Sequence, residues 1–243
     1  YHRQFSHSLF FIPIGSLIVA LLIFPWVKKA MSFKLVYLVS FLGYATHGLL
    51  DACTSYGTLL LWPFSYERIT WNNISIVDPI FTIPTLIFVI CALMTKRKKF
   101  SFFAIGWILF YLIFGLVQYE RTLSAAKDLA SSRGHSAERL TLKPSFGNLI
   151  LWKSIYKHEE NFYVDAIRTV QSSHWCSGES SRAFSYKQHL PKLNKDSQQA
   201  KDIERFRWFS QDYLGYQEEK KLVTDIRYSM LPNQIEAMWG LVI

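Results

Sequence analysis

"HGLLDACTSYGTLLLWPFSYER", residues 47–68, leaves an apolar run and fills at once with groups that oil rejects. His47 and Asp51 stand four residues apart, which on a helix puts both side chains on one face. Residues 35–46 ahead of them are almost wholly uncharged, so the helix predicted over 35–50 is of membrane type. Ionisable groups at the end of such a helix are costly and usually mark function. Thr54, Ser55 and Thr58 follow on or near the face of Asp51, where their hydroxyls could orient its carboxylate. Each feature also has a plainer reading. The His–Asp pair alone could pin two helices, residues 54–58 could be a polar turn, and Trp62, Phe64 and Tyr66 could be an interfacial aromatic belt.

Working outward, residues 9–27, 74–94 and 100–119 are also long and nearly free of charge, giving four expected membrane spans. The first lacks the basic start and small-residue cleavage site of a signal peptide. Half of the 243 residues are hydrophobic, and the apolar runs lie almost entirely before residue 120. Two domains are expected: a helical membrane domain over 1–119 and a small extramembrane domain over 120–243. The chain opens on Tyr1 and reads as a piece with sequence ahead of it.

Basic residues set the expected orientation. Lys28, Lys29 and Lys34 follow span one and Lys96 to Lys99 follow span three, whereas the loop between spans two and three holds Arg68 alone. Both basic loops should face the cytoplasm, placing the chain start, the 51–73 loop and everything after residue 119 on the periplasmic or exterior side. The net charge of +9 is therefore chiefly a topology signal, with membrane lipid as a partner and no nucleic acid. The sequence leaves the oligomeric state open. Of three cysteines, Cys91 reads as a buried hydrophobe, while Cys53 and Cys176 share the outer side and could pair.

On that topology His2, Arg3, His7, His47, Asp51 and Asp78 all reach one membrane face. Imidazoles and carboxylates gathered there suit a divalent metal, zinc or manganese first and iron next, able to activate water. His2, His7, His47 and Asp51 are the expected ligands. Arg3 and Arg68 could hold an anionic oxygen. Asp78, followed by Pro79, reads as a helix cap or as a general base.

Those segments carry a family resemblance. "HRQFSHSL", "YATHGLLDACTSYGTLLLWPFSYER" and "IVDPIFTIP" resemble the bacterial family of membrane-bound, metal-dependent hydrolases that includes YdjM and YbcI. The resemblance runs to about residue 170. It places His2, Arg3, Ser6 and His7 on a first element. His47, Asp51, Thr54, Gly57, Pro63, Phe64, Ser65 and Arg68 fall on a second, and Asp78 and Pro79 on a third. It implies an inner-membrane enzyme hydrolysing an ester. By looser analogy with zinc phospholipases, that ester would be a lipid or headgroup phosphoester. Relatives carry an earlier histidine and Pro-Asp-x-Asp-like segment that does not occur in this sequence.

Beyond residue 119 the helical pattern continues and breaks at Gly134, leaving His135 at a helix end. "NLILWKSIYKHEENFYVDAIRTV" reads as two strands about a "KHEEN" turn. Residues 197–213 have helical spacing with Ile203, Phe206 and Phe209 on one stripe, and residues 215–231 and 236–243 read as further strands. The expectation is an α+β fold on an antiparallel sheet. "HWCSGESS" lacks the G-x-S-x-G pattern of a nucleophile elbow and reads as a loop. The competing class is a non-enzymatic membrane protein whose polar cluster pins helices or binds headgroups while the outer domain recruits a partner. A transporter would want polar groups at the bilayer midplane and inverted repeats, and the sequence shows neither.

Overall fold

The computed structural model describes residues 3–243, in two compact units, Tyr1–Ile76 and Val77–Ile243. The first unit opens with a 3-10 turn at Phe5–His7, followed by α1 (Ile12–Val27) and α2 (Phe33–Ala52). Pro13 suits the first turn of α1, and Ser32 caps α2 by accepting from the Leu35 N–H. The five-residue connection 28–32 makes α1 and α2 neighbours, so the start of α1 lies at the end of α2. A long loop, 53–76, completes the unit.

The second unit begins with α3 (Pro79–Thr95) and α4 (Lys98–Ser132), joined by a turn at Lys96. Asp78 caps α3, its Oδ1 accepting from the Phe81 N–H at 3.1 Å and its Oδ2 from the Tyr111 hydroxyl at 2.8 Å. Of the four helices, α2 and α4 are long and apolar enough to cross a membrane, while α1 and α3 are 16 and 17 residues long. The four expected spans thus become four helices with two of membrane length. The expected boundary at 119 falls inside α4, which runs on for thirteen residues, since nothing before Gly134 breaks its helical pattern.

The α+β part holds two antiparallel sheets. The first is a meander of β1 (Glu138–Pro144), β2 (Leu151–His158), β3 (Asn161–Thr169) and β4 (Ser173–Arg182). Alternation along β2 divides its side chains between two buried faces. Trp152 and Tyr156 face α4, where Ala125, Ala126, Leu129 and Ala130 let the helix approach closely, and Tyr119 meets the Trp152 ring edge-on. Ile155, opposite Val164, joins Phe162, Tyr213 and Ile226 on the other face. The second sheet is β5 (Leu214–Gln217), β6 (Leu222–Asp225) and β7 (Gly240–Val242). Against it pack a one-turn helix, α5 (Tyr186–His189), and α6 (Gln198–Phe209), whose Ile203 meets Phe184, Leu214 and Val223.

The hairpin about "KHEEN" forms with Glu159 and Glu160 as its turn. "HWCSGESS", however, is strand β4, because ladder pairing with β3 satisfies the backbone whatever the side chains are. Residues 174–180 face solvent at the sheet edge and carry no alternation that a sequence reading could detect. His135 packs on the rings of His158 and Tyr163 beside the end of α4. All three cysteines are free.

Candidate metal centre

Close backbone approach brings the chain start to the end of α2. A Cβ on Gly48 would lie 2.7 Å from the His7 carbonyl oxygen, so the 3-10 turn can rest on α2 only at a glycine. The 53–76 loop holds the turn from the other side, with Leu59 N–H donating to Arg3 C=O at 3.2 Å and Leu9 N–H to Leu60 C=O at 2.9 Å. His7 is thereby set against His47 and Asp51 on the last turns of α2.

Among the described residues these three form the one group able to hold a metal, with ligand atoms all within 4.8 Å of one another. Asp51 divides its carboxylate between two tasks. Oδ1 accepts from Arg3 Nη2 at 3.1 Å, while Oδ2 faces His7 Nε2 at 3.3 Å and His47 Nε2 at 3.7 Å. The two imidazole rings stand 4.8 Å apart. Ser6 Oγ lies 3.0 Å from His7 Nδ1, and in the tautomer protonated at Nδ1 the hydroxyl would accept and Nε2 would be the ligand atom. Access is one-sided, because the His47 side chain is 62% exposed and those of His7 and Asp51 only 15% and 16%. The C-terminal end of α2 adds partial negative charge where a cation would sit.

The other expected residues of the first unit make contacts of their own. Arg3 is buried, and besides Asp51 its Nη1 donates to Thr54 Oγ1 at 2.6 Å. Thr54 in turn donates to the Asp51 carbonyl, so it orients Arg3 and the helix end rather than the carboxylate. Thr54, Ser55 and Thr58 follow the end of α2 and do not share its face, because the helix stops at Ala52. All three are buried, and Thr58 Oγ1 has no hydrogen-bond partner among the described residues. Arg68 is a loop clasp, its Nη2 donating to the carbonyls of Tyr56 and Gly57 at 2.7 and 2.9 Å. Tyr56 lies beneath both guanidinium groups, at 5.3 Å from Arg3 and 5.2 Å from Arg68. Gly57 takes φ 91°, and a Cβ there would press on Arg68 Nε at 2.9 Å. Burial pushes the Cys53 thiol up to about 11, which keeps it protonated beside Asn73. His2 lies outside the described residues, and Asp78 is the α3 cap described above.

Two histidines and one carboxylate, with the approach to one imidazole open, are a donor set that could hold a divalent metal. Ser6 and Gly48 were legible only as letters within motifs, since a hydroxyl–imidazole contact and a backbone crossing leave no periodicity. Gly48→Ala should shift the 3-10 turn at a cost of about 1–3 kcal/mol, because backbone atoms cannot swing aside as a side chain can. That equals or exceeds the gain of roughly 1 kcal/mol in helix propensity. Misplacing His7 should also weaken cation binding at least about 10-fold. Thermal unfolding and a zinc titration of the variant check both effects.

The family model described as YdjM inner membrane protein matches residues 1–122, which include the whole group and most of α4. No curated protein and no solved structure matches the chain. The match ends before β1, so both sheets lie outside it, where the motif resemblance had reached to about residue 170. Because it takes in half of the chain together with the motif residues that converge in the fold, the chain belongs to the YdjM inner membrane protein family.

Proposed function

We propose that this protein is a membrane-bound, metal-dependent hydrolase acting on an ester, most naturally a lipid or headgroup phosphoester. The observation that carries the reading is the convergence of His7 Nε2, His47 Nε2 and Asp51 Oδ2 at the end of two apolar helices. These three atoms would hold a divalent ion, zinc or manganese. Such an ion supplies a Lewis acid that acidifies water and polarises an ester oxygen. Ser6 holds the ring of His7, Arg3 fixes the rotamer of Asp51, and the Arg68 clasp shapes the loop that carries Thr54 to Arg3. The open side of His47 is where substrate would enter, at headgroup depth.

The charge pattern supports an outward-facing site. Lys28, Lys29 and Lys34 stand at the ends of α1 and α2 remote from the group, which favours the periplasmic side for the group itself. Lys96 to Lys99 between α3 and α4 favour the same side for the sheets. The general-base role read for Asp78 is weakened by its geometry, since both carboxylate oxygens already serve Phe81 and Tyr111. The non-enzymatic reading draws on one observation, that Arg3 ties Asp51 to Thr54 and so could serve as a polar pin between segments.

Elemental analysis of the full chain in mild detergent, purified without chelators, separates the two. Close to one zinc or manganese per chain is expected, with at least a tenfold loss in His47→Ala, whose exposed side chain can be removed without unfolding the helix. Metal absent from the parent protein would overturn the hydrolase reading. Metal present then justifies assaying headgroup or phosphate release from phospholipid vesicles.

A further inference from the structure

The 35 residues of α4 rise about 52 Å, against a hydrocarbon core of about 30 Å, so a long part of it must stand outside the bilayer. Its exposed apolar surface runs through Ile113, Leu116 and Val117, and Gln118 is the first polar residue after it. Two loops of the first sheet are tied to that same turn. Gln118 Nε2 donates to Leu149 C=O at 3.2 Å and to Thr169 C=O at 2.7 Å. Arg121 Nη2 donates to the Val170 and Gln171 carbonyls, and Thr122 Oγ1 meets Thr169 Oγ1 at 2.9 Å. Gly147 N–H donates to Val77 C=O, just before α3 begins.

Loops in water are ordinarily polar, yet these two present Phe146 at 74% exposure, Ile150 at 42% and Val170 at 41%. Trp175, on the first rungs of β4, is also more than half exposed. Exposed Arg168 flanks them. Apolar tips with aromatic and basic neighbours, held level with the last lipid-facing turn of a spanning helix, have the composition of an interfacial anchor.

We infer that loops 145–150 and 170–172 dip into the lipid interface of the membrane that α4 crosses, making a second, sheet-borne contact with the bilayer. The occupant is lipid because the patch is continuous with the lipid-facing surface of α4. Exposed Arg168 suits its phosphate groups, while Arg121 is spent on holding the 170–172 loop. The contact would fix the sheet upright along the outer part of α4, and the Glu159–Glu160 turn at the other end of the meander would stand in water.

Full-length chain carrying Cys176→Ser and either Phe146→Cys or Val170→Cys, labelled with an environment-sensitive fluorophore, tests this in phosphatidylethanolamine–phosphatidylglycerol nanodiscs. The Cys176→Ser parent gives the background from Cys53 and Cys91, and Glu160→Cys is the aqueous control. Labels at 146 and 170 should emit to the blue and lose roughly half their emission to acyl-spin-labelled lipid while iodide has little effect. The label at 160 should behave in the opposite way. Quenching of 146 and 170 by iodide, as at 160, would overturn the inference. So would shielding from both quenchers, which would put protein, a second copy included, over the loops.

Discussion

Asp51→Asn is expected to abolish cation binding at the proposed site and to destabilise the first unit, two losses that a single-role residue would not combine. The carboxylate is the only anion facing His7 and His47 in the described group, and the amide that replaces it is a poor ligand for a hard or borderline cation. On its other oxygen it neutralises Arg3, which is 8% exposed and has no second carboxylate in its described contacts. Breaking a buried pair on one side costs about 3–5 kcal/mol, and the partial exposure of Asp51 lowers that to about 2–3 kcal/mol. Thermal unfolding with a chelator present isolates the pairing, because the cation then contributes nothing to either protein. His47→Ala should match the parent under that condition and Asp51→Asn should not. Full metal content in Asp51→Asn would exclude Asp51 as a ligand, and equal unfolding temperatures in chelator would exclude the Arg3 pair as a source of stability.

How much of this was legible in the sequence depends on the kind of signal. The i,i+4 spacing of His47 and Asp51 is a helix property, so their convergence could be read directly, and Asp78–Pro79 announced its cap in the same way. His7 could be grouped with them only through topology, since 39 residues, most of them in α1, α2 and their turn, separate it from His47. The carbonyl contacts of Arg68 could not be foreseen, because charge alone does not distinguish an anion-binding arginine from one that donates to its own loop. The β2–β3 hairpin showed itself through alternation and a polar turn. Strand β4 did not, since an edge strand with solvent on its side chains needs only a backbone partner. Gly48 belongs with it: close approach is a property of two segments, and one segment's composition cannot express it.

The stability of the sheet region should rise with pH between about 7 and 10, and Lys153 should be the main cause. Lys153 lies opposite Lys143 on adjacent strands, on the face that meets residues 225–234. Burial pushes its amine down to about 7, with Asp225 and Glu179 pulling partly the other way. Lys143 is likewise pushed to about 7, by burial first and then by the charge of Lys153. The contacts of Lys153 suit a neutral amine, which has two hydrogens to give: one goes to Ser229 Oγ at 2.6 Å and one to Gln234 C=O at 2.7 Å. Lys143 stands 3.5 Å from the centre of the Tyr228 ring, a contact that favours its charged form, so it should contribute less. An unfolded lysine titrates near 10.4. Between the folded and unfolded values the unfolded chain holds a proton that the folded chain lacks, so raising the pH favours folding. At and below pH 7 the cost of burying the charge is felt in full, and it fades by about pH 10. For Lys153 the change is on the order of 3 kcal/mol across that window. Lys153→Met removes the titrating group at nearly constant volume and leaves the Gln234 carbonyl short of a donor, at about 1–3 kcal/mol. Unfolding temperatures of the full chain from pH 6.5 to 9.5 should therefore climb in the parent and stay much flatter in the variant. Parallel slopes would mean that Lys153 is protonated in the fold throughout, with water reaching an amine that the packing of β2 against residues 229–234 is expected to keep dry.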